Sequence, residues 1–231
     1  MSLLTDDGFE ATLGDDLGWR RIELAHLKDA LARSARQSED SPATRGLSRA
    51  MVAMCYAHWE GYSKNALERY ARLVTRRKPK LSESSEGLVI EHVHRLMRRL
   101  ASGDSYAREA ITKAIRGESD ERLNIDKSLL ADTKSNLRYK TLAELFKRGC
   151  IPLDAFKLKA NLIDVLLCDR RNGVAHGRAI FVPAGDSLDL CAETIKLMEA
   201  MRDVLVTQVR TKGYLTVAAE TPPNPSPVRQ T

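Results

Sequence analysis

The sequence predicts an all-α domain, and three observations carry that prediction. Apolar residues recur at helical spacing through most of the chain, strand-like alternation is nearly absent, and clusters of turn-forming residues punctuate the periodic stretches. With 231 residues, 43% of them apolar and 29% charged, the chain is expected to build one folded domain.

Residues 1–14 read as an N-terminal extension ahead of a domain over 15–212. From Asp15 to about Ala35, Trp19, Ile22, Leu27 and Leu31 recur among charges and predict an amphipathic first helix, which SEDSPAT breaks. A longer second helix is expected over 45–77, because Leu47, Met51, Met54, Cys55, His58, Tyr62, Tyr70 and Leu73 keep one face apolar, and Pro79 closes it. The basic run RRKPK at its end has two readings: cations complementing the helix dipole, or contact with RNA.

After SESSEG, a third helix over 88–101 should turn Val89, Val93, Leu96, Met97 and Leu100 inward and Arg95, Arg98 and Arg99 outward. Residues 103–136 are more polar and read as a short helix in a long connection, a variable middle insertion with a role of its own. The helical stretch 137–148 stops at Gly149, which suits a left-handed residue after a helix. Pro152 marks a new start, and a helix over 154–169 packs through Phe156, Leu162, Ile163, Val165, Leu166 and Leu167. AIFVPAGD is a short extended segment and turn, and a long closing helix follows through Leu188, Ile195, Met198, Met201, Leu205 and Val209. The tail, 213–231, ends in TPPNPSPVRQT and is expected to be disordered.

Composition excludes several classes of function. No apolar run approaches the roughly 18 residues of a membrane span, and the acidic start is unlike a signal peptide, so a cytoplasmic protein is expected. Cys55, Cys150, Cys168 and Cys191 form no CxxC pair, and His92 and His94 diverge by about 200° on one helix, so no metal and no cofactor is expected. Phosphate-cradling glycine loops and a nucleophile elbow are missing. TLAELFKRGCIPLDAFKLK has the outline of a helix-turn-helix but lacks its tight turn, and no arginine–aromatic cluster marks a single-strand platform in a chain with 5% aromatic residues. The net charge of +6 suits a polyanionic partner.

One segment stands apart: RRNGVAHG, from Arg170 to Gly177. On a continuous helix Asn172 and His176 share a face, while Arg171 lies about 140° and about 7.5 Å from His176, within reach of a long side chain. Taken alone, the residues fit either a capped helix end or a site, since arginines cap carbonyls and asparagine bonds to backbone. Likewise Glu60, in AHWEGYSK, is either a solvated helix residue paired with Lys64 at i+4 or a carboxylate facing the motif. His58 reads as core.

RRNGVAHG resembles the signature of the HEPN superfamily: an arginine, a polar residue that is most often asparagine, three further residues and a histidine, late in an all-helical domain. AMVAMCYAHWEGYSKNALERY is similar to the long second helix of the MAE-type HEPN-like group, and together the two segments span most of the chain. The resemblance implies a HEPN-like helical bundle acting as a metal-independent endoribonuclease, with RNA as partner and a homodimer bringing two motifs to one basic cleft. It further implies catalytic roles for Arg171, Asn172, His176 and Glu60, and RNA contacts for Arg170, Arg178 and Lys64. Relatives of this type resemble toxins and antiviral effectors, which brings an antitoxin or other regulatory partner into view. The alternative is a non-catalytic HEPN-like module binding RNA, nucleotide or protein; a sequence-specific DNA regulator is a weaker third.

Overall fold

A computed structural model describes residues 5–116 and 121–216, and it is all-α. Three long helices form the frame: α1 (Asp6–Gln37), α2 (Pro42–Arg77) and α8 (Ala184–Arg210) pack against one another along their lengths. Trp59, Tyr62, Tyr70, Phe146 and Phe156 are among the bulkiest groups of one continuous core. Among the described residues no helix is long and apolar enough to cross a membrane.

Helix α1 starts at Asp6, ahead of residue 15 where the domain was expected to begin. Thr5 caps it by accepting from the Gly8 N–H, and Phe9 and Leu13 are already buried. The inward face of this helix is partly the expected one: Leu31 is buried and Leu27 packs against the core, joined by Leu17 and Leu24, whereas Trp19 and Ile22 are 49% and 61% exposed. A buried ion pair hid the true stripe, since Arg20 occupies a core-facing position and donates to Asp16 at 3.1 Å.

Helix α2 begins three residues earlier than expected, with Ser41 as cap and Pro42 in the first turn. At its other end the RRKPK run is partly structural, because Arg77 pairs with Asp6 and donates to the Tyr214 hydroxyl at 3.0 Å. Tyr214 is itself buried, and Ser85 donates from N–H and hydroxyl to its carbonyl, so residues 213–216 belong to the fold. The rest of the expected disordered tail lies outside the described residues.

In α3 (Glu86–Ala101) the buried residues are Leu88, Glu91, His92 and Leu96, Val89 packs against the core as expected, and Met97 faces solvent instead. The middle region is less loose than expected: α4 (Tyr106–Arg116) and α5 (Lys127–Leu130) are helical, and Leu123, Ile125, Leu130 and Leu137 are buried. Helix α6 (Tyr139–Gly149) corrects the glycine assignment. The left-handed residue is Cys150, at φ 53°; Gly149 is the last helical residue, and its lack of a side chain leaves room for Ile151, whose Cδ1 a Cβ there would meet at 2.8 Å.

The expected helix over 154–169 is in fact two elements. A 3-10 turn, Asp154–Phe156, is followed by a π-helix, Leu162–Asp169, that runs directly into α7 (Arg170–Ala175). Its buried residues Ile163, Leu167 and Cys168 sit at i, i+4 and i+5, as a wide i→i+5 turn requires. The Asp164 carboxylate on this turn accepts from the Tyr139 N–H at 2.7 Å and so starts α6.

Candidate functional site

The motif forms the last turns of a helix, and both of its glycines have a physical reason. His176 is the cap residue; its N–H bonds to the Asn172 carbonyl, Gly177 N–H to Val174, and Arg178 N–H to Gly173, the paired bonds of a Schellman ending. Gly177 supplies the left-handed residue at φ 67°. At Gly173 a Cβ would sit 1.9 Å from the Ile180 Cδ1, so the missing side chain lets the following segment fold back against the helix. The imidazole of His176 is left exposed, with no hydrogen bond or ion pair among the described residues.

Arg171 is held from several sides. Its guanidinium lies over the Tyr56 ring at 3.9 Å, donates from Nη1 to the Asn172 Oδ1 at 3.0 Å and from Nη2 to the Ser135 carbonyl at 3.3 Å, and faces the Glu60 carboxylate at 3.8 Å. Its Nε is buried without an acceptor. An arginine carries five N–H donors. Two are engaged and the Nε–H is enclosed, which leaves one on Nη1 and one on Nη2, the latter on the nitrogen that faces Glu60.

The surroundings fix that geometry. Tyr56 is buried, accepts the Leu137 N–H at 2.9 Å, and has its phenol pushed up to about 12, chiefly by burial. Glu60 accepts from the Thr133 hydroxyl at 2.8 Å. Thr133 and Ser135 come from the middle region, where Lys134 and Ser135 take consecutive left-handed conformations at φ 52° and 56°. The middle region thus delivers a strained loop onto Arg171.

Arg171, Asn172 and Glu60 therefore come together, with His176 one turn along at the end of the same helix. Of Glu60's two readings, the carboxylate facing the motif is the observed one. Lys64, one turn further along α2, lines a cavity of about 410 Å³ with Thr133, Lys134 and Ser135. Arg178 is exposed, and its carbonyl accepts from Arg49 at 2.6 Å. Arg170 turns to Asp186 on α8, at 3.6 Å. His58 is buried between Glu23, 3.0 Å from Nε2, and Arg20, so it belongs to the core, as expected. His92 points inward and His94 outward, as their spacing predicted.

Sequence reasoning missed Tyr56, Thr133, Ser135 and Arg49. Tyr56 was accessible, lying four residues before Glu60 on the same helix face. Thr133 and Ser135 carried no signal, because a loop position is fixed by the fold around it.

A family model, RiboL-PSP-HEPN, matches residues 15–207. The chain belongs to the RiboL-PSP-HEPN family. The HEPN resemblance read from the motif is thereby borne out at the level of the superfamily, together with the all-α fold. Membership points to a nuclease or otherwise RNA-related function for this HEPN chain. Neither the curated proteins nor the solved structures contain a significant match to it.

Proposed function

We propose that this HEPN protein is a metal-independent endoribonuclease that leaves 2′,3′-cyclic phosphate and 5′-hydroxyl ends. The observation that carries the reading is the clasped Arg171 guanidinium, with one donor left on each terminal nitrogen, on the same short helix as an exposed His176.

The chemistry needs three things. A neutral imidazole takes the proton of the 2′-hydroxyl as its oxygen attacks phosphorus; the bond from phosphorus to the 5′-oxygen breaks; and an acid returns a proton to that oxygen. No water is consumed. Histidine exchanges protons near neutral pH, and His176 suits one of the two roles. A second copy of the chain, its motif turned toward the same cleft, supplies the other. Arg171 stabilises the crowded phosphorane, Glu60 and Asn172 hold its guanidinium in place, and Lys64, Arg170 and Arg178 contact flanking phosphates.

In a cell this activity fits a toxin or antiviral effector restrained by an antitoxin or regulatory partner, a role supported by the family resemblance. The test is incubation of the purified protein with total RNA and a tRNA pool in excess EDTA. Cleavage by the wild type and none by folded His176→Ala is the expected result. RNA binding without cleavage by the wild type would replace the enzyme with a binding module.

A further inference from the structure

The stretch after the motif alternates in the manner of a strand. Ile180 covers Gly173 and Val182 is buried, so Phe181 between them is turned outward and is 55% exposed. Arg49 pins the stretch by donating to the carbonyls of Arg178, at 2.6 Å, and Ile180, at 3.4 Å. The Arg45 guanidinium, one turn before Arg49 on α2, stands over the Phe181 ring at 5.3 Å from its centre. Arg45, Arg49 and Phe181 line a hollow of about 200 Å³.

These residues continue the site. Arg45, Arg49, Tyr56, Glu60 and Lys64 fall within a sector of about 100° on α2 and span about 28 Å along its axis. The motif helix lies over the middle of that stripe, through Arg171 on Tyr56 and Glu60, and the Phe181 hollow lies at its N-terminal end. Four residues lie between His176 and Phe181, and the five steps of chain limit their Cα distance to about 17 Å, a few nucleotides of an extended strand. The arginine–aromatic pair that is missing along the sequence is assembled in space.

We infer that the hollow is a base-stacking subsite for one unpaired nucleobase of single-stranded RNA, held on the Phe181–Arg45 pair close to the scissile phosphate. A flat ring beside a guanidinium accepts any base by its face, and a base inside a duplex has both faces already covered. Arg45 also places a positive charge where the strand's next phosphate passes. The subsite rests on the endoribonuclease reading and narrows its substrate to RNA that is single-stranded at this position.

The test uses the full-length protein and a short unstructured oligoribonucleotide labelled at one end. Phe181→Leu keeps an apolar side chain but removes the flat face, and is expected to lower kcat/KM by roughly ten- to a hundredfold, mostly through KM. Phe181→Tyr restores cleavage, and annealing a complementary strand protects the substrate from the wild type. In parallel, the fluorescence of Phe181→Trp, combined with His176→Ala, is quenched as the oligonucleotide is titrated in. If Phe181→Leu cleaves like the wild type, or paired and unpaired RNA are cut alike, the subsite is overturned while His176-dependent cleavage leaves the enzyme standing. If no His176-dependent cleavage occurs, the enzyme reading fails, and the binding arm alone decides the subsite: quenching upholds it, and its absence overturns it.

Discussion

Replacing Arg171 by lysine is expected to remove most of the activity although the charge survives. The guanidinium spends two donors on Asn172 and the Ser135 carbonyl, stands over the Tyr56 ring, and still has one donor on each terminal nitrogen. A lysine has three donors on one atom and no flat face, so meeting the same two acceptors leaves it at most one donor for phosphate. Losing a preorganised donor of this kind costs about 2.7–4 kcal/mol of transition-state stabilisation, a rate loss of about a hundred- to a thousandfold. The fold should lose about 1–2 kcal/mol, because the Arg171 side chain is mostly buried and lysine gives up the contact over Tyr56 and part of the bonding to Asn172 and Ser135. Initial rates on a labelled oligoribonucleotide in EDTA give the first quantity and thermal denaturation the second. Arg171→Lys should fall close to Arg171→Ala. A lysine variant within about threefold of the wild-type rate would refute the reasoning, since charge alone would then suffice and the clasp would be incidental.

Other expectations concern the scaffold of the site. Tyr56→Phe leaves the buried Leu137 N–H without an acceptor and should cost about 1–3 kcal/mol, seen as a lower Tm of the purified variant. Gly177→Ala forces a side chain into the left-handed region and should cost about 1–2 kcal/mol, whereas Gly177→Asn should cost less; chemical denaturation compares the two. Burial, reinforced by Arg95, holds His92 below the usual histidine range even though Glu121 favours its charged form. The Asn124 N–H donating to its Nδ1 at 3.0 Å also requires the neutral ring. The unfolded chain therefore binds a proton that the fold resists. This contribution to stability is fully present above about pH 6.5 and is lost as pH falls below that value, by up to about 1.4 kcal/mol per pH unit. Urea unfolding across that window should show a shallower slope for His92→Gln than for the wild type.

Much of this was legible in the sequence for physical reasons. A helix that buries one face over many turns must repeat apolar residues at its own period, which is why α2 and α8 could be read almost end to end. The same rule failed in α1, where Arg20 and Asp16 satisfy each other inside the core and so remove the apolar mark from an inward position. It failed again over 162–169, because a π-helix has no residue signature of its own and the i, i+4 pair of Ile163 and Leu167 fits an α-helix as well. Of the candidate site, the motif and Glu60 were readable because each lies on one helix at fixed offsets. The Arg171 clasp was only half readable: Ser135 and Thr133 arrive from a loop distant in sequence, and nothing local in that loop announces where it lands.

The chemistry proposed for His176 and Arg171 has a signature that other RNA contacts lack, because the 2′-oxygen of the cleaved nucleotide is itself the nucleophile. The most direct measurement maps the cleavage position in an oligoribonucleotide, then places a single 2′-deoxy nucleotide there and repeats the reaction in EDTA. The all-RNA strand should yield a 2′,3′-cyclic phosphate and a 5′-hydroxyl, and the deoxy-substituted strand should not be cut at that bond. Cutting of the deoxy-substituted strand at an undiminished rate, or 5′-phosphate ends from the all-RNA strand, would contradict this chemistry.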